Sequence, residues 1–225
     1  MARRARGTSA GLDRASIAVA AVGLVDRDGL ERFGVRRLAD ELGVDPMSIY
    51  HHVKGKAALL DAVCEVVLAE VEIAPGDAPE DGSEDAPEGW QVIARRTAHA
   101  YRDMAHRHPR VFPLLADRAQ TSTPALVALE RLVAAMRGAG VPEQVVADTP
   151  SVLFGFLNGH LLARTSAEVH GAAAVPDFDA DAYPTLAELM PRMADFGSEA
   201  EFDRMLDAVL TGVAQAGRRG RASAP

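Results

Sequence analysis

Cysteine is almost absent from this chain of 225 residues, where Cys64 stands alone. A single thiol excludes an internal disulfide framework and any cysteine-built zinc site. No apolar run approaches the roughly eighteen residues that a membrane span needs. The first residues, MARRARGTSAG, are basic but lack the apolar core of a signal peptide. The expectation is a cytoplasmic protein with no membrane among its partners. A phosphate-cradling glycine loop, a nucleophile elbow and a metalloprotease motif are all missing, so nothing points to an enzyme or a cofactor. Strand alternation and internal repeats are missing too, and the fold expected is all-α.

Positive charge is also in short supply, with a net charge of -8, yet it is unevenly spread. Residues 1–60 carry ten Lys and Arg against seven Asp and Glu, while residues 61–225 carry fourteen against twenty-five. The basic excess therefore sits at one end, where phosphate neutralisation would be useful. Hydrophobic content of 48% and charged content of 25% are those of an ordinary globular chain with a real core.

What is present is a strong local pattern from Gly34 to Lys56, GVRRLADELGVDPMSIYHHVKGK. Val35, Leu38, Ala39 and Leu42 recur as one buried helix face. Gly43 is suited to end that helix, and Val44 offers an apolar plug. Asp45 as cap and Pro46 in the first turn predict a second helix, with Ile49 and Val53 facing inward. Met47, Ser48 and His51 then point outward, with Tyr50 and His52 on the flanks. Helix, glycine turn and helix is the pattern of a helix-turn-helix that enters a DNA major groove.

Residues 12–72 resemble the DNA-binding domain of the tetracycline-repressor (TetR) family of transcriptional regulators. The resemblance is carried by Val35 to Ala39, by Leu42-Gly43-Val44 and by Ser48-Ile49-Tyr50-His51-His52-Val53. Lys54-Gly55-Lys56 with Leu59 to Ala62 continues it into a fourth helix. It implies DNA contact by Arg36, by Pro46, Met47 and Ser48 in the recognition helix's first turn, and by Tyr50, His52 and Lys56 at phosphates. His51 points outward and is counted with them, whereas Arg37 reads as a surface charge.

The organisation expected is a DNA-binding domain over 1–72, an acidic flexible linker over 73–89, a helical effector-binding and dimerisation domain over 90–217, and a loose tail over 218–225. Arg3, Arg4 and Arg6 lie in a terminal arm that either stays solvated or reaches DNA. Helix 1 should open at Asp13 and end near Asp28-Gly29, and helix 4 should run from Gly55 to Glu72. Cys64 falls on its apolar face as inert packing. Further helices are expected over 90–107, from Thr123-Pro124 to Gly138 or Gly140, from Thr149-Pro150 to His170, over 185–196, and from Ser198 to Gly217. A turn is expected around 111–117.

Two groups of residues remain. Ser151, Gly155, Gly159 and Ala163 form a stripe of small residues at four-residue spacing, suited to close helix approach. With Phe202, Leu206, Val209 and Leu210 of the last helix they are the expected homodimer interface, as the resemblance implies. Trp90, His99, Tyr101, Met104, Phe112, Phe154 and Asn158 are candidates to line a pocket for a small hydrophobic effector. His99, His106 and His108 do not share one helix face within reach of one metal ion. The expected function is a homodimeric, ligand-responsive repressor on a palindromic operator of double-stranded DNA. The alternatives are a constitutive or activating DNA binder and a helical protein-interaction module.

Overall fold

A computed structural model describes residues 12–71, 89–118, 122–171, 179–193 and 197–222. The basic arm, the acidic linker up to residue 88 and residues 223–225 lie outside the described residues. Among the described residues the structure is all-helical, with ten α-helices and two short 3-10 turns.

Local chemistry sets the first helices. Helix α1 (Arg14–Asp28) opens at Asp13, whose carboxylate accepts the Ser16 N–H at 2.7 Å while the Ser16 hydroxyl accepts the Asp13 N–H at 3.0 Å. This reciprocal box satisfies donors that a helix start otherwise leaves bare. Helix α2 (Val35–Leu42) ends at Gly43, which sits at φ 65°, the left-handed conformation that costs glycine nothing. Asp45 then accepts the Met47 N–H at 2.8 Å and opens α3 (Pro46–His52). Helix α4 (Gly55–Ala69) packs along α1, and Ile17, Leu38, Ile49, Leu59 and Val63 meet at 0–1% exposure. It stops three residues short of Glu72, at Ala69 with Glu70 as its cap.

The remaining helices are α5 (Trp90–Arg107), α6 (Phe112–Ala116), α7 (Thr123–Gly138), α8 (Glu143–His170), α9 (Pro184–Leu189) and α10 (Glu199–Ala222). Where a turn is expected around 111–117, Pro113 lies in the first turn of α6. Ser122, not Thr123, precedes α7, and the expected helix over 185–196 is α9 followed by a 3-10 turn at Met190–Met193. Two boundaries differ from the sequence pattern for reasons of packing. Helix α8 does not open at Thr149-Pro150; it opens at Glu143 and runs through Pro150. Val146, Thr149, Leu153, Leu157 and Leu161 are buried at regular helical spacing on both sides of the proline. That continuous buried face outweighs the roughly 3 kcal/mol a mid-helix proline costs. Likewise α10 does not stop at Gly217. Gly217 and Gly220 lie against Val141 and Pro142, and a Cβ on Gly220 would come within 2.9 Å of the Pro142 ring. These glycines serve close approach rather than termination, and the expected tail is helical as far as Ala222.

Buried residues from Ile17 to Val213 form one connected core, and α4 is the helix through which its N-terminal part reaches α5, α6 and α7. Polar contacts reinforce that junction. His108 lies between Asp26 at the end of α1 (2.7 Å) and Glu70 after α4 (3.1 Å). Arg107 also reaches Glu70, Arg110 donates to the Asp26 and Arg27 carbonyls, and Arg118 pairs with Asp61 of α4. At the far end, α8 and α10 are tied by Arg164 and Glu201, whose side chains are only 9% and 7% exposed. Glu201 also accepts the Gly197 N–H, at 2.6 Å.

Replacing Glu201 by Gln removes the negative charge from this buried pair, in which Glu201 also accepts the Gly197 N–H. The expected loss is about 3 kcal/mol or more of unfolding free energy, read from urea denaturation. A loss below about 1 kcal/mol, as for an exposed pair, would contradict this role.

Candidate DNA-binding face and effector cavity

Ile49 and Val53, at 1% and 2% exposure, pin α3 to the core and so decide which of its side chains face water. Met47 is 61% exposed and Tyr50 42%, and His51 and His52 are exposed beside them. Pro46 and Ser48 are half-buried at the start of the helix. Arg36 on α2 and Lys56 on α4 are exposed as well.

Charge pairing separates neighbouring arginines. Arg37 donates to Asp28 at 2.9 Å and to the Arg32 carbonyl at 3.3 Å, while Arg27 pairs with Glu41 and Arg14 with Glu65. Arg36, Lys54 and Lys56 make no ion pair among the described residues. Lys54 and Lys56 directly follow α3 in the chain, and Arg36 lies on α2, which packs against α3. Lys54, in the turn between α3 and α4, was not among the sequence candidates, although the Lys-Gly-Lys spacing signals it.

A cavity of about 320 Å³ lies between α4, α5, α7 and α8. Leu68 and Val71 from the α4 side, Ala125, Ala128 and Leu129 from α7, and Pro150 and Phe154 from α8 give it apolar walls. Thr97, Tyr101, Arg118, Ser151 and Asn158 supply its polar atoms. The Tyr101 hydroxyl donates to Asn158 Oδ1 at 2.9 Å, and its ring meets those of Phe112 and Phe154 edge-on, each at 5.6 Å between centroids. Burial holds the phenol well above its ordinary pKa, so it remains a neutral donor.

Of the sequence candidates for this cavity, Tyr101, Phe154 and Asn158 are brought together in its wall. Trp90, Met104 and Phe112 are instead core residues at 5%, 0% and 0% exposure, Phe112 serving to back Tyr101. His99 lies away from the cavity, 2.9 Å from Asp203 of α10 and edge-on to Phe202. Pocket walls and helix interiors draw on the same residue types, so the spacing alone does not part them. The wall residues missed are Leu68 and Val71 on the α4 side, Thr97, Arg118, Pro150 and the residues of α7, while Ser151 stands among the expected dimer-interface residues instead.

The small-residue stripe is on the surface. Ser151, Gly155, Gly159 and Ala163 are exposed, and a Cβ on either glycine would meet nothing within 4 Å. Val152 beside them is 47% exposed and Met205 of α10 is 40% exposed. Phe202, Leu206 and Leu210 differ from the expectation. At 0–4% exposure they are turned into the subunit's own core, where Phe202 meets the Phe156 and His160 rings, and Val209 is only half-buried. The exposed residues of α10 include instead Met205, Ala208 and Gly212, among charged and polar ones such as Arg204, Asp207 and Gln215.

Comparison with known proteins agrees with this geometry at both ends of the chain. The family model "Bacterial regulatory proteins, tetR family" matches residues 17–63, and "Tetracyclin repressor-like, C-terminal domain" matches residues 83–216. The chain belongs to the TetR family. It is a transcriptional regulator with a DNA-binding domain, not an enzyme. Among curated TetR-type relatives, the transcriptional repressor DrrR1 of Streptomyces coeruleorubidus is 30% identical over 245 residues, covering 99% of this chain and 85% of the relative. An HTH-type regulator of Saccharopolyspora erythraea is 29% identical, over 90% of this chain and 85% of the relative. Among solved structures, the TetR family protein ActR of Streptomyces coelicolor, crystallised in complex with actinorhodin, superposes with a TM-score of 0.75. Its identity is 26%, over 92% of this chain and 98% of that one. Among the described residues, no helix is long and apolar enough to cross a membrane.

Proposed function

We propose that this TetR-family chain is a homodimeric repressor that holds a palindromic operator and releases it when a small apolar effector occupies the cavity between α4, α5, α7 and α8. The observation that carries this reading is the position of α4, which is packed against the α1 side of the DNA-reading unit and forms part of the cavity wall. The repressor name of DrrR1 supports the sign of regulation, and the ActR complexes with actinorhodin and (S)-DNPA support a small-molecule effector.

The residues proposed to meet DNA are Arg36, Pro46, Met47, Ser48, Tyr50, His51, His52 and Lys56, with Lys54 added. Met47 suits a thymine methyl group, Ser48 a base edge or phosphate, and the cations phosphates. The proposed dimer interface is the line of Ser151, Gly155, Gly159 and Ala163 with Val152, Met205 and Val209. Glycine inside a helix costs roughly 1 kcal/mol against alanine, and among the described residues no group of the same subunit fills the space beside Gly155 or Gly159. A second copy approaching closely gives those glycines a reason. Two-fold symmetry then sets two α3 helices into successive half-sites.

Selection from random duplex DNA over a salt series tests the function. A palindrome is expected to be enriched, with affinity falling as salt rises. No enrichment at low salt from a folded dimer would replace the regulator by a protein-interaction module. On the recovered duplex, Tyr50→Ala should weaken binding about tenfold, the scale of a phosphate or base contact, whereas Arg37→Ala should change it little. Equal effects would overturn the assignment of the DNA face. Gly159→Ala gives a test of the dimer by sedimentation. The subunit should fold as well as or better than the parent, by up to about 1 kcal/mol, while the dimer dissociates more readily. An undisturbed dimer would place the interface elsewhere.

A further inference from the structure

We propose that the effector is an apolar, ring-containing molecule bearing an anionic group, a carboxylate or its equivalent, and that Arg118 binds this group by giving up Asp61. The proposal rests on the reading of the cavity as the effector site. Among the described lining residues Arg118 is the only charged one, and no carboxylate faces the space. An anion carried into a wall of leucine, valine and phenylalanine without a partner pays a heavy desolvation penalty. Here a guanidinium lies at the edge, its side chain 31% exposed and so within reach of both the cavity and water. Its Nε and one terminal nitrogen both bind a single oxygen of Asp61, the former at 3.1 Å. Such a fork suits a carboxylate equally well when the carboxylate comes from a ligand.

Asn158 and Tyr101, also in the wall, complete the recognition. Asn158 uses its oxygen to accept from Tyr101, and its amide N–H groups have no protein partner among the described residues. A carbonyl or hydroxyl oxygen on the ligand's ring system fits there, with the neutral Tyr101 fixing the amide. The cavity thus reads a molecule with an oxygen acceptor near Asn158, an apolar middle, and a negative group towards Arg118.

The exchange of partners also links occupancy to the head. Asp61 lies on α4, so its pairing with Arg118 ties α4 to the segment following α6. An anion that takes the guanidinium removes that tie. By linkage, Asp61 and the ligand compete for one group, and weakening either partner strengthens the other.

The test uses 8-anilinonaphthalene-1-sulfonate, an aromatic anion, and N-phenyl-1-naphthylamine, the same ring system without the sulfonate, followed by fluorescence on the full chain. Ala125→Phe, which fills the cavity, should abolish binding of both. Arg118→Gln should weaken the sulfonate by about tenfold or more, the scale of one charge-assisted hydrogen bond, and leave the neutral dye within about twofold. Asp61→Asn should strengthen the sulfonate several-fold and again leave the neutral dye unchanged. If neither dye binds, or Ala125→Phe has no effect, the cavity is not the effector site and both readings fall. If the neutral dye binds and is blocked by Ala125→Phe, but Arg118→Gln and Asp61→Asn leave the ratio of the two dyes unchanged, only the anionic class and the partner exchange are overturned.

Discussion

One helix has to satisfy two sets of neighbours, and the rest of the structure is arranged around that constraint. Helix α4 buries Leu59, Ala62, Val63 and Val67 at 0–1% exposure and Cys64 and Leu68 at 4–6%. Its packing runs against α1 on one side and against α5, α6 and α7 on the others. A helix buried around so much of its circumference cannot shift on one side without repacking the other, because close-packed interiors transmit displacement. The DNA-reading face and the cavity wall are therefore not independent surfaces.

Polar ties border this junction as well. Asp61 with Arg118, Glu70 with Arg107, and His108 with Asp26 and Glu70 surround α4 and the end of α1. The largely exposed pairs, Asp61 with Arg118 and Glu70 with Arg107, contribute about 0–1 kcal/mol each, small beside the apolar core, while His108 is held more deeply at 13% exposure. That hierarchy suits a regulator. The connected core joins the two parts through α4, and the weak polar ties at its edge are of a size that a ligand's differential binding energy can bias. The buried Arg164–Glu201 pair belongs to the other category and fixes α8 to α10, far from the junction.

The sequence is most legible where the physics is local. Asp13 with Ser16, Gly43, and Asp45 with Pro46 act within three or four residues, and each cap or turn stands where the pattern places it. Pro150 and Gly217 mislead for the opposite reason. Both are strong local stop signals, and both are overruled by partners distant in the chain: the buried face that α8 presents across Pro150, and Val141 and Pro142 against Gly217 and Gly220. The DNA face needs only the phase of α3, which Ile49 and Val53 reveal. The cavity needs knowledge of which apolar residues lack a neighbour, and no periodicity encodes that. Arg118 reads as an ordinary surface arginine until Asp61, 57 residues away, is seen beside it.

The coupling itself is most directly tested by the distance between the two recognition helices of a dimer. Cys64 is 4% exposed and burial pushes its thiol up to about 11, so a nitroxide reagent near neutral pH would label a cysteine introduced at Met47 and spare the native one. Pulsed electron spin resonance on the labelled Met47→Cys dimer, with the cavity empty and then filled by the aromatic sulfonate, reads the separation of the heads. The account predicts a shifted distribution of distances when the dye is bound, and no shift in an Ala125→Phe background. A distribution unchanged by dye that is demonstrably in the cavity would show that occupancy does not reach the heads through α4.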